Sequence, residues 1–155
     1  MNWDLEQTKI LDSDWPMGSE KNGGRKNSIV KLVTPTALII IDNDVMTTYL
    51  NPDVEFSEEE ADINVDMALK HLHGKRIFHV TVPDSTTHIT LRPKRYWNEK
   101  FLAVKKAEAL VIKTLAHRIL ANAFISTRKE LFPIRIFATE AEALKWLDEL
   151  RESGI

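Results

Sequence analysis

Cysteine is absent from this 155-residue chain. Disulfides, thiolate nucleophiles and cysteine-held zinc or iron–sulfur clusters are thereby excluded. No apolar run approaches the roughly 18 residues of a membrane span, and the acidic start "MNWDLEQTKILDSDWPMGSE" lacks the basic-then-apolar pattern of a secretory signal. The expectation is therefore a cytoplasmic protein without integral membrane insertion. Excess charge is missing too: the formal net charge is -2 and the pI about 6.2, so nothing global draws the chain to nucleic acid. The phosphate loop, Gly-x-Gly-x-x-Gly and Gly-x-Ser-x-Gly do not occur, and "NGG" at 22–24 precedes any strand.

What is present is an ordinary globular balance, 43% hydrophobic and 28% charged, long enough for one core. Residues 1–27 stand apart. "SDWPMGSEKNGGRKN" has no period, which predicts a flexible leader, yet Trp3, Ile10, Leu11 and Trp15 are apolar enough for part of it to dock on the domain formed by 28–155.

Within that domain, "SIVKLV", "ALIIID" and "VMTTYL" are β-rich, and "DND" between the last two marks a hairpin. "EFSEEEADINVDMALKHLHG" predicts a helix capped by Ser57, with Glu60 returning a capping-box bond, a stripe of Ala61, Val65, Ala68 and Leu72, and a stop at Gly74. Its Glu58–Glu60 run is a solvated first turn favoured by the helix dipole rather than a metal site. "KRIFHVTVP" reads as a strand closed by Pro83, and "DSTTHIT" as a loop. "LRPKRYWNEKFLAVKKA" reads as a short helix starting near Thr90, "EALVIKT" (108–114) as a strand, and "LAHRILANAFIST" as a helix. "FPIRIFA" and "TEAEALKWLDELRES" close the chain as strand and helix, with Thr139 and Glu142 as a second capping box. Strands alternating with helices predict an α/β fold: a mixed sheet with an N-terminal antiparallel hairpin and parallel strands joined by helices.

Candidate chemistry is sparse. His71 and His73 sit two apart on a helix and point in different directions, so they form no chelating pair; a metal or other cofactor is not expected. Asp84 follows a strand end, where α/β folds place sites, and with His88 it makes a third-ranked enzymatic candidate. Asp after Pro is also an ordinary turn former. Two surfaces attract more notice. Arg92, Lys94, Arg95, Lys100, Lys105 and Lys106 face a single acid, Glu99, with Tyr96 and Trp97 among them; such a face can receive an acidic partner, a phosphorylated segment or a lipid headgroup. In "LAHRILANAFI", Leu115, Ile119 and Ala123 form one stripe and Ala116, Leu120 and Phe124 another. A one-faced helix needs only one stripe, so the leader or a second subunit, in a homodimer, is expected to cover the other.

These segments in this order, from "ALIIIDNDVMTTYL" through "RIFHVTV" to "FPIRIFATEAEALKWL", resemble small bacterial STAS-like proteins, relatives in fold of the anti-sigma-factor antagonists. The resemblance spans roughly residues 28–150. Its most specific part is Phe132-Pro133 followed by Phe137, Thr139, Ala143, Trp146 and Leu147. It implies a non-enzymatic, regulatory protein-interaction module; the alternative is a small-ligand or lipid-binding domain. In switching members a serine at a helix N-terminus after a strand is phosphorylated, and the added charge breaks a complex. No Asp-Ser-Ser-Gly occurs here; Thr90 is the nearest positional equivalent and Ser85 comes earlier.

Overall fold

The computed structural model describes residues 29–155; the leader, with its tryptophans and its docking, lies outside them. The described chain opens with three antiparallel strands, β1 (Val30–Val33), β2 (Ala37–Asp42) and β3 (Val45–Leu50). The hairpin is as tight as "DND" implies: Asp42 pairs with Val45, and Asn43 takes φ 55°, a left-handed conformation that Asn tolerates. After the two-residue β4 (Glu55–Phe56) come α1 (Glu58–Leu72), β5 (Ile77–Pro83), the equally short β6 (His88–Ile89), α2 (Glu99–Val104), β7 (Lys105–Val111), α3 (Leu115–Arg128), β8 (Ile134–Phe137) and α4 (Glu140–Glu152).

The main sheet has the order β1-β2-β3-β5-β7-β8, with β3, β5, β7 and β8 mutually parallel. This is the predicted mixed α/β sheet. Because each parallel strand is added on the same side of the last, crossovers of one hand put α1, α2 and α3 on one face. The final helix α4 folds back over the other. Alternation in the strands serves both faces. Phe78, Val80, Val82, Ala107, Ala109 and Val111 pack with Ala143, Trp146 and Leu147 of α4, and Arg151 of α4 clamps the hairpin turn through two bonds to Asp44, at 3.0 and 2.7 Å. On the opposite face α1 covers β1–β3, while Ala121 of α3 packs with Leu110 and Ile134.

Local signals placed most boundaries. Ser57, Thr114 and Thr139 cap α1, α3 and α4 by accepting from the backbone N–H three residues on. The Glu60 return bond is not made; its Oε2 is buried without a partner among the described residues. The left-handed turn ending α1 takes in both His73 (φ 50°) and the expected Gly74 (φ 76°).

The segment 91–107 departs from expectation. Its helix is only the six residues of α2, capped by Asn98, and not one beginning near Thr90. Residues 91–98 find non-helical partners instead. The Arg128 guanidinium donates to Pro93 O and Tyr96 O at 3.3 and 2.6 Å, and the Tyr96 hydroxyl and Asn98 amide both donate to Asp62 at 3.0 Å. Thr90 lies next to the β4–β6 ladder, its N–H bonded to Phe56 O at 3.0 Å. The strand expected at 108–114 begins three residues earlier, at Lys105, and ends at Val111.

Candidate functional site

A cavity of about 150 Å³ lies between the sheet and α1, α2 and α3. Most of its wall is apolar, including Ile39, Val65, Leu91, Phe101, Leu110 and Ile134. Across its sheet side runs a polar row on three neighbouring parallel strands, buried Thr48 on β3, buried His79 and half-buried Thr81 on β5, and buried Glu108 on β7. Register brings them together, since Thr48 pairs with Thr81 and His79 with Glu108.

The row is wired side chain to side chain. Lys105 Nζ donates to Glu108 Oε2 at 2.9 Å, and Thr81 Oγ1 donates to Glu108 Oε1 at 3.3 Å. His79 Nδ1 stands 3.4 Å from Glu108 Oε1, an electrostatic contact rather than a good hydrogen bond, and Nε2 is 2.9 Å from Thr48 Oγ1. With the proton on Nδ1, facing the carboxylate, Nε2 accepts from the Thr48 hydroxyl. The Lys105 ammonium also sits 4.3 Å from the Phe101 ring centroid.

Burial and the neighbouring charges set the protonation together. It would push the Glu108 carboxyl up, but the Lys105 ammonium, with His79, outweighs it and holds the group far below the usual carboxylate range. Burial draws the Lys105 ammonium down against the opposing pull of Glu108. His79 is likewise drawn down, by burial and then by Lys105, so its neutral form is favoured.

Further polar groups line the same cavity. Asn64 of α1 donates to Thr36 Oγ1 at 3.2 Å, and His117 of α3 reaches Thr87 O at 2.8 Å. Arg128 is 4% exposed and no carboxylate among the described residues is within ion-pair distance of it; its guanidinium lies 4.5 Å from the Phe124 ring.

The surfaces expected from the sequence divide on folding. Tyr96, Leu120 and Phe124 belong to the cavity wall, and burial, reinforced by Asp62, pushes the Tyr96 phenol up. Lys105, taken as part of a cationic face, is buried. Arg92 pairs with Glu58 at 3.0 Å; Lys94, Arg95 and Trp97 stay exposed, as do Leu115 and Ile119. Asp84 accepts from Thr86 N and Oγ1 at 3.0 and 2.9 Å, a turn whose bonds hold its carboxyl low. Ser85 is exposed in the same turn, and His88 is exposed on the short strand β6 that follows. Thr90 is half-buried and also donates its hydroxyl to Phe56 O at 3.4 Å, so it does not occupy a helix N-terminus. Among the described residues no cluster of three His, Asp or Glu is arranged to hold a metal ion, and no helix is long and apolar enough to cross a membrane.

His79, Glu108, Asn64 and His117 were not singled out by sequence reasoning. Their signal was faint: a polar residue at every second position of "FHVTV", and Lys105 and Glu108 three apart just before the apolar run "ALVI". The model of a family described as a domain of unknown function, DUF7793, matches residues 39–151, and the chain belongs to that family. No curated protein and no solved structure matches it.

Proposed function

We propose that this member of the DUF7793 family is a small-molecule-binding module whose seat is the cavity beneath α1, α2 and α3. The observation that carries the reading is the Lys105–Glu108–His79 group buried inside an apolar cavity. An ion pair taken out of water is a poor way to gain stability, and apolar replacements of equal volume often serve better. Convergent polar groups with shifted protonation in a largely apolar hollow are the usual marks of a binding site. The volume, about 150 Å³, lies below the roughly 300–1,000 Å³ of drug-sized sites. It is closer to a cavity that takes up benzene, so a compact occupant fits better than a lipid.

Binding is favoured over turnover by the wiring. Thr48, His79 and Glu108 stand in the order of a hydroxyl–imidazole–carboxylate relay. Lys105, however, already holds the second carboxylate oxygen, and the His79–Glu108 contact at 3.4 Å is too long to fix the ring. Toluene is the direct probe. At a hundredfold excess over Kd it should stabilise the wild-type chain by about 2.7 kcal/mol, read as a rise in Tm. Ala121→Leu, which intrudes on the cavity, should lose that rise. No change in Tm, and no line broadening of toluene in ligand-observed NMR, would sink the reading.

A second reading, protein docking, is favoured by Leu115 and Ile119, one helical turn apart on α3 and 73% and 64% exposed. It accords with the STAS-like resemblance and its implied regulatory role. If these side chains form a homodimer face, sedimentation equilibrium should give a dimer for the wild type and a monomer for Ile119→Arg. A wild-type monomer at 100-fold the concentration used for binding would count against the homodimer.

A further inference from the structure

Two residues lining the cavity each carry a buried acceptor atom with no partner among the described residues, and their chemistry specifies what an occupant must bring. His117 is 7% exposed, and its Nε2 lies 2.8 Å from Thr87 O. A carbonyl oxygen only accepts, so Nε2 carries the hydrogen. In the neutral ring Nδ1 is then a lone-pair acceptor, and it is buried with no partner. Asn64 is 5% exposed; its Nδ2 donates to Thr36 Oγ1, and its Oδ1 is likewise buried with no partner. Buried polar groups in folded proteins are nearly always hydrogen-bonded, so two orphans in one cavity wall call for an explanation.

These orphans belong to one edge of the site. Asn51 N donates to Thr36 O at 2.8 Å, Thr87 Oγ1 donates to Asn51 O at 2.9 Å, and Thr87 O receives His117. Asn64 and His117 are thus tied to a single hydrogen-bonded chain beyond the carboxyl ends of β3 and β5, the edge where α/β sheets gather ligands. The cations of the cavity, by contrast, are already engaged. Lys105 is spent on Glu108, and Arg128 on Pro93 O, Tyr96 O and Thr127 Oγ1.

We propose that the occupant is a compact apolar molecule bearing a hydroxyl, which donates to His117 Nδ1, with Asn64 Oδ1 as a second acceptor for a ligand that has two donors. This rests on the small-molecule reading above and adds the class of ligand. A site built to receive a hydroxyl discriminates strongly against an analogue lacking the donor, because the buried acceptor is then left unpaired.

The test uses the wild-type chain and four probes built on one benzene ring: phenol and toluene, which match in size, and the slightly larger anisole and benzoate. By calorimetry phenol should bind at least tenfold more tightly than anisole, its methyl ether, and more tightly than benzoate. In long-range ¹H–¹⁵N spectra the His117 Nδ1 resonance should move on adding phenol and stay in place with toluene. Equal affinities for phenol and anisole, or a His117 resonance indifferent to phenol, would overturn the hydroxyl assignment while toluene binding left the cavity reading intact. Benzoate binding more tightly than phenol would overturn it in favour of an anion. If none of the four binds, the small-molecule reading itself falls.

Discussion

Glu108→Ala should destabilise the protein by about 3–5 kcal/mol, measured by urea denaturation, because it leaves the Lys105 ammonium buried without its counter-charge. Lys105 is 6% exposed and Glu108 7%, so neither end of the pair can turn to water without moving β7. The double variant Lys105→Met/Glu108→Leu removes both charges and keeps the volume. It should recover most of the loss and can exceed the wild type, since a buried pair is replaceable by apolar packing even though half a pair is not. A double variant as unstable as Glu108→Ala would show that the row is held by something other than charge balance. Acid should reveal the same wiring. His79 titrates below the usual histidine range in the folded chain, so the unfolded chain takes up that proton first and stability begins to fall below about pH 6.5. The Glu108 carboxyl is also held low, so its contribution is complete above the ordinary carboxylate range and is lost as pH drops below roughly 4.3 towards the folded value. Glu108→Gln should abolish the second of these losses and leave a neutral amide in the row.

The contrast between what the sequence shows and what it hides has a physical cause. Thr139 and Ser57 cap their helices through the backbone three residues away, so a short window contains the whole interaction. The hairpin at Asn43 is equally local. Segment 91–98 fails as a helix because Arg128, more than thirty residues downstream, takes the carbonyls of Pro93 and Tyr96. No window around Pro93 contains that information. The candidate site was hidden for a related reason. In "FHVTV" a polar residue at every second place reads as a strand wet on one side. Here helices cover both faces, so His79 is 5% exposed and its neighbour Thr81 is only half-exposed. A charge on Lys105 likewise reads as a surface until β7 is known to begin there and Glu108 to lie beside it. The cavity itself comes from three helices converging on one face, which no single element encodes.

That convergence leaves the other face of the sheet with a different task, and Leu147→Ala separates the two. Leu147 is 1% exposed and packs with Phe78, Val80 and Ala143 beneath α4. Truncating a buried leucine removes its transfer free energy and leaves a void that a close-packed interior fills only in part, so a loss of about 2–5 kcal/mol is expected. Chemical denaturation measures it directly. Yet none of Leu147, Phe78 or Val80 lines the cavity, which lies on the reverse side of the same strands. Well below the lowered Tm, Leu147→Ala should therefore bind toluene with wild-type affinity. Phe101→Ala is the matched counterpart, because Phe101 lines the cavity and carries the Lys105 ammonium on its ring. It should lose stability and also change the affinity for toluene. Weakened binding in Leu147→Ala, on protein verified as folded by circular dichroism, would mean that β5 and β7 transmit packing from one face to the other, and that α4 is part of the site and not only its distant support.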